Sequence, residues 1–216
     1  MNYFLKEGLS YAIVIPVLFG LIKLRRIDRD YLPLLIFLFL GLLAELVSTY
    51  QINRGGSNAI VSNIYVLFES LLIVWQFNKW GLFARAKGLF PFFETFFTAF
   101  WLFENFYLSS IDVFSSYFRV VYSFAIVLMS IHTINIVILN ENKSILLNPS
   151  FLACIAFILY FTYKVLVEIF WLYGLNGSDQ FRGHIYNIMA YVNLLANLIY
   201  AFAILWVPRK QEYILL

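Results

Sequence analysis

The sequence predicts an all-α protein, a polytopic bundle of seven transmembrane helices, and three observations carry that prediction. Hydrophobic residues make up 62% of the chain and charged residues only 12%. A soluble domain is nearer half apolar and a quarter charged. The apolar residues fall into seven runs, each close to the roughly 20 residues a bilayer core requires. Those runs are continuous, unlike the alternating pattern of a membrane β-barrel.

The first run, at 5–24, lies within "MNYFLKEGLSYAIVIPVLFG". It lacks a basic start followed by a small-residue cleavage site, so it reads as an uncleaved helix. "KLRRIDRD" separates it from a second run at 31–50, and "QINRGGSN" leads to a third at 59–79. "ARAKG" precedes the fourth run, 88–108, and "SSID" the fifth, 113–139. "NENKSILLNPS" leads into the sixth, 150–174, and "GLNGSDQFRG" into the seventh, 183–207, which ends at "PRKQEY". Each break carries charge or turn chemistry.

Lys and Arg placement sets the orientation. Lys23, Arg25, Arg26, Arg29, Lys79, Arg85, Lys87, Lys143, Arg209 and Lys210 fall on one side, against Lys6, Arg54 and Arg182 on the other. The N-terminus is therefore expected outside and the C-terminus in the cytoplasm, in a multi-pass inner-membrane protein. Trp75, Trp80 and Trp206 then lie toward inner helix ends and Trp101 and Trp171 toward outer ones, as an aromatic belt predicts. The net charge of +3 reflects this orientation and gives no reason to expect a nucleic-acid partner. No soluble segment exceeds about a dozen residues, so residues 1–216 read as one transmembrane domain. The lone Cys154 offers neither a disulfide nor a thiolate metal site. Phosphate-binding loops, metal-ligand clusters and nucleophile elbows are absent from the sequence, so no catalytic residue, cofactor or metal is expected.

One pattern occurs twice. "AELVSTYQINRGGSN" spaces Glu45, Tyr50 and Asn53 as "VEIFWLYGLNGSD" spaces Glu168, Tyr173 and Asn176. Ile64-Tyr65 and Ile185-Tyr186 then open the following runs. This predicts a parallel three-plus-one-plus-three repeat, with halves at 1–80 and 113–207, of the kind that builds some transporters.

Ionisable side chains inside the spans cost about 2.5–3.5 kcal/mol each at mid-helix on insertion scales, so they tend to face the bundle interior. Here they are Glu45, Glu69, Glu94, Glu104, Arg119, Lys164 and Glu168. By the predicted topology all but Glu94 lie in the middle or outer half. Helical spacing puts Tyr160, Lys164, Glu168 and Trp171 on one face, with Lys164 and Glu168 placed to pair. Tyr65, Glu69 and Gln76 share another face, and Arg119 aligns with Tyr122, Ser123 and Ser130. The last span carries two polar stripes, His184, Asn187 and Tyr191 against Asn193, Asn197 and Tyr200, so neighbours are expected on both sides. The candidate site is an outward-facing polar cavity lined by Glu45, Glu69, Arg119, Lys164, Glu168 and Asn187. The plainer reading is helix glue, in which such groups hydrogen-bond across helices for ~1 kcal/mol each. His132 and Cys154 are expected to be buried packing residues.

The stretches "LLIFLFLGLLAELVSTY" and "NIYVLFESLLIVWQFNKWGLF" resemble small seven-helix integral membrane proteins of Bacteroidota-type bacteria. That resemblance is one of style over most of the chain, and it implies no activity. The three-plus-one-plus-three plan is similar in architecture to SWEET-type sugar carriers and nicotinamide riboside carriers. The Pro-Gln dipeptide of the former is missing, and Pro16, Pro33 and Pro149 form no matched set. The last span has no Lys for a retinal Schiff base. Three functions are in view. The first is a transporter for a small polar solute. The second is a sensory or accessory subunit with a signalling or oligomer partner. The third is an intramembrane lipid-modifying enzyme, which ranks last because His132 and His184 fall on opposite sides of the membrane.

Overall fold

The computed structural model describes residues 8–9, 11–140, 145–174 and 178–208. Lys6, Lys143, Asn176, Gly177, Arg209 and Lys210, and the side chain of Arg182, therefore lie outside the described residues. Among the described residues the regular elements are seven α-helices, joined by turns that include short 3-10 segments.

Helix α1 (Val14–Lys23) follows a 3-10 turn at Tyr11–Ile13 and tolerates Pro16 in its first turn. Asp28 accepts from the Asp30 amide at 3.1 Å to cap a 3-10 turn at Arg29–Tyr31. That turn feeds α2 (Leu32–Asn53), which has Pro33 at its start. Helix α3 (Ala59–Lys79) coincides with the predicted run, and α4 (Leu89–Phe103) continues as a π-helical turn at Glu104–Leu108. Helix α5 is Ser116–Asn140. Helix α6 (Pro149–Leu172) is capped by the Asn148 side chain, and α7 (Asp179–Trp206) by Ser178. Both caps satisfy a backbone N–H that a helix start leaves without a partner.

Five stretches are long and apolar enough to cross a membrane: Arg29–Asn53, Ala59–Lys79, Ser116–Leu139, Pro149–Leu172 and Gly183–Trp206. The other two predicted runs are not among these five. The first is described as helix only over Tyr11–Lys23. The fourth keeps its length but changes its winding at Glu104. The wider π turn brings Glu104 and Asn105 inward, each 2% exposed, while Phe106 and Tyr107 point outward.

The antiparallel pairs α2–α3, α5–α6 and α6–α7 pack most extensively, α1 lies chiefly on α7, and α4 rests on α3. A core of touching rings runs through Phe37, Phe77, Trp80, Phe157 and Tyr200, with centroids 5.6–6.5 Å apart. Outside, Leu43, Phe68, Phe124, Leu128 and Phe202 are each at least half exposed. Apolar helices that expose such side chains suggest a lipid bilayer environment. The bundle is consistent with an integral membrane protein.

The two ends of the bundle differ. At one end α2 and α6 finish while α3, α5 and α7 begin, and there the polar side chains gather. At the other end, Lys23 donates to the Ile204 carbonyl at 3.2 Å and also to that of Leu205, closing the C-terminus of α7.

Candidate functional site

A cavity of about 320 Å³ occupies the end where α2 and α6 finish. Helix α2 contributes Gly41, Glu45, Ser48 and Thr49, and α3 contributes Ser62 and Tyr65. Arg119 comes from α5, Tyr160, Lys164 and Glu168 from α6, and Tyr186 and Asn193 from α7. Ile52 and Tyr186, both exposed, mark its rim. Gly41 is there for space. A Cβ on it would lie 2.7 Å from Ile13 Cδ1 and 3.1 Å from the Tyr65 hydroxyl.

Two ion pairs stand at the walls, three of their four members in the lining itself. Lys164 Nζ lies 2.7 Å from Glu69 Oε2, with both side chains at most 8% exposed. Tyr122 donates its hydroxyl proton to the same Glu69 oxygen, and Tyr65 donates to Glu69 Oε1 at 3.1 Å. Lys164 also donates to Tyr122 at 2.5 Å and sits 5.1–5.5 Å from the ring centroids of Tyr122, Tyr160 and Phe161. Those distances fall within cation–π range. Glu69 and Lys164 are thus surrounded by partners, which is how a buried ion pair survives its desolvation.

The second pair is looser. Arg119 Nη1 lies 3.5 Å from Glu168 Oε1, while Glu168 Oε2 accepts from Ser116 at 2.6 Å. Arg119 Nη2 donates to Ser62 at 2.7 Å and to Asn63 Oδ1 at 3.2 Å. Asn63 is a junction of its own. Its Oδ1 also accepts from the amide and hydroxyl of Ser115, and its Nδ2 donates to the carbonyls of Ile111 and Val113 at 3.0 and 2.6 Å. Its backbone carbonyl takes the indole N–H of Trp101 at 2.8 Å. One amide in the first turns of α3 therefore holds the α4–α5 connection against the guanidinium that borders the cavity.

Of the six residues predicted to line a polar cavity, Glu45, Arg119, Lys164 and Glu168 do so. Glu69 stands one layer behind, reached through Tyr65 and Lys164. Asn187 is not among the lining residues, and α7 supplies Tyr186, Met189 and Asn193 instead. The expected Lys164–Glu168 pair is corrected as well, since each residue pairs across the bundle, with Glu69 and Arg119. Four-residue spacing on one helix only makes a contact available. A partner on a facing helix can meet the charge along with further hydrogen bonds.

Other expectations also shift. His132 is exposed rather than a packing residue, whereas Cys154 is fully buried as expected. Tyr122, Ser123 and Ser130 are buried on the same side as Arg119. On α7 the Asn193, Asn197 and Tyr200 stripe packs inward, but His184 and Tyr191 face outward. Glu104 does not line the cavity. It accepts from the amides of Tyr117 and Phe118 at 3.0 and 2.5 Å and so caps α5. Tyr122, Asn63, Ser62 and Ser116 bond to the candidate residues Lys164, Arg119 and Glu168, and sequence reasoning did not single them out as site residues.

The cavity holds hydrogen-bonding hydroxyls, amides and charges of both signs, which suits reversible binding of a polar molecule. Among the described residues no three His, Cys, Asp or Glu side chains group as a metal site requires. No protein family, no curated protein and no solved structure matches this chain.

Proposed function

We propose that this chain is a seven-span inner-membrane carrier for a small polar solute, with its N-terminus outside and its cavity opening outward. One observation carries the reading: the cavity lies where α2 and α3 meet α5, α6 and α7, and its walls are tied by Glu69–Lys164 and by Arg119 to Ser62 and Asn63. These contacts join the two three-helix groups at the polar end, so changing them changes how the groups sit against each other. Glu45 and Glu168, and likewise Tyr65 and Tyr186, are equivalent in the sequence repeat, and all four line the cavity. That supports a solute site at the interface between repeats. The helix ends match less well, since Asn53 is the last residue of α2 while Tyr173 already caps α6.

The test is sided accessibility. In a Cys154→Ala background, Ser48→Cys is labelled by a membrane-impermeant maleimide from the outer face, and more slowly from the cytoplasmic face of inverted vesicles. Labelling from one face only, in every condition, overturns alternating access. The sensory reading draws on a different observation, the Asn63 link from Arg119 to the α4–α5 connection. It is favoured if the purified protein fails to exchange any solute that protects Ser48→Cys from label.

A further inference from the structure

We infer, building on the carrier reading, that Glu69 is the binding site of a coupling proton, which it exchanges with the cavity through Tyr65. Glu69 is an acid inside a membrane span and only 1% exposed, and such groups form the proton relays of pumps and transporters. It is not itself in the cavity lining. Its Oε1 accepts from the Tyr65 hydroxyl at 3.1 Å, and Tyr65 is a lining residue. One hydroxyl thus connects the buried carboxylate to the solution in the cavity. A proton passed from hydronium to the Tyr65 oxygen releases the tyrosine's own proton to Glu69 Oε1. An O–H bond forms at the carboxyl, the phenol O–H is broken and remade, and water is left behind.

The surroundings decide when that proton binds. Facing Glu69 are Tyr65 on its own helix, Tyr122 from α5, Lys164 and Tyr160 from α6, and Tyr200 from α7. Glu45, Arg119 and Glu168 are charged groups one step further off, around Tyr160, and Glu104 lies beyond them beside Arg119. With Lys164 in place, an ammonium and two hydroxyls hold Glu69 as the carboxylate. Lys164 also lines the cavity, and Glu168 stands one turn along on α6. Four-residue spacing makes that second acid available to it, and Arg119 holds Glu168 only at 3.5 Å. Once Lys164 turns to Glu168, Glu69 keeps hydroxyl partners alone, and taking a proton costs less than bearing a buried charge. Tyr200 adds an independent observation. Its hydroxyl is buried beside Glu69 and has no hydrogen-bond partner among the described residues. A buried polar atom of this kind calls for a partner, and a protonated carboxyl supplies the donor that a carboxylate lacks. Proton uptake and loss of the tie between α3 and α6 are therefore one event, and a proton that binds only the untied state shifts the carrier toward it.

The experiment is infrared difference spectroscopy on the purified full chain in detergent, taken as the pH is lowered. A protonated-carboxyl band should grow in the natural chain, and the same titration of Glu69→Gln should lack that component. Tyr65→Phe keeps the carboxyl but removes a donor to its ionised form, so the component should appear at a pH higher by about one unit. That variant serves where Glu69→Gln fails to fold. In vesicles with equal pH on both sides, the ratio of inner-face to outer-face labelling of Ser48→Cys should rise about tenfold or more on acidification. Glu69→Gln should hold the raised ratio already at neutral pH. Identical spectra for the natural chain and Glu69→Gln overturn the proton site and leave the carrier reading standing. An unmoved component in Tyr65→Phe, or a two-sided labelling ratio indifferent to pH, overturns it too. The carrier reading falls separately, on the one-sided labelling of Ser48→Cys.

Discussion

Glu69 and Gln76 sit two turns apart on α3, both at most 1% exposed, yet they serve opposite ends of the molecule in opposite ways. Glu69 bonds to side chains, accepting hydrogen bonds from Tyr65, Tyr122 and Lys164 beside the cavity. Gln76 bonds to backbone. Its Oε1 accepts from the Leu34 amide at 2.8 Å, and its Nε2 donates to the Asp30 carbonyl at 2.7 Å. The second arrangement stitches the start of α2 to α3, and the rings of Phe77, Trp80 and Phe157 close around it. Lys23 does the same for α7. A backbone partner cannot change rotamer or protonation state, so this end is fixed. Side chains can exchange partners, so the cavity end is where rearrangement is cheapest.

The largest effect should come from breaking the cavity-end pair. Lys164→Met leaves a carboxylate buried with only tyrosine hydroxyls, and about 3–5 kcal/mol of stability should be lost. The double variant Glu69→Leu/Lys164→Met should recover most of that, because a packed apolar pair of similar volume costs little. Unfolding in detergent, run as a double-mutant cycle, reads the coupling directly. Additive losses would show that the two residues do not act as a pair.

At the closed end the expected loss is smaller. Gln76→Leu strands one amide N–H and one carbonyl, at about 1–3 kcal/mol. It should leave the labelling rate of Ser48→Cys unchanged. A changed rate would mean that the two ends communicate through α3, and the contrast drawn above would fail. Glu104→Ala removes the cap from the first turn of α5, for about 0.5–2 kcal/mol. Because Arg119 directly follows Phe118 in that turn, this variant should also change the Ser48→Cys rate, which Gln76→Leu should not.

The helices were legible because an apolar run of bilayer length is a strong signal, and the run at 59–79 became α3 residue for residue. The cavity was legible because charge inside a membrane span must face inward, and four residues picked on that ground line it. Partner choice was not legible. Lys164 and Glu168 share a helix face, but which acid meets Lys164 depends on how α3 lies against α6. Asn63 and Gln76 escaped notice as clamps because an amide that binds backbone leaves no trace in the sequence of its partner. The outward placement of His132 went unseen for a related reason: apolar residues stand on both faces of its helix, so a lone histidine has no polar stripe to betray its side.

The smallest effect on stability should come from Gly41→Ala, and this variant separates cavity shape from fold. Replacing Gly by Ala inside a helix gains about 1 kcal/mol in propensity. The new methyl meets the end of Ile13 at 2.7 Å and the Tyr65 hydroxyl at 3.1 Å, and such crowding costs about 1–3 kcal/mol when nothing can yield. Both contacts are the far ends of side chains bordering open space, so the crowding falls at the low end and the two terms nearly cancel. Ile13 must shift, and Tyr65, whose hydroxyl donates to Glu69, must give by a few tenths of an ångström. Gly41→Ala should therefore unfold within about 1 kcal/mol of the natural protein while slowing Ser48→Cys labelling several-fold. A large stability loss with unchanged labelling would mean that Gly41 serves the packing of α1 against α2 and has no part in the cavity.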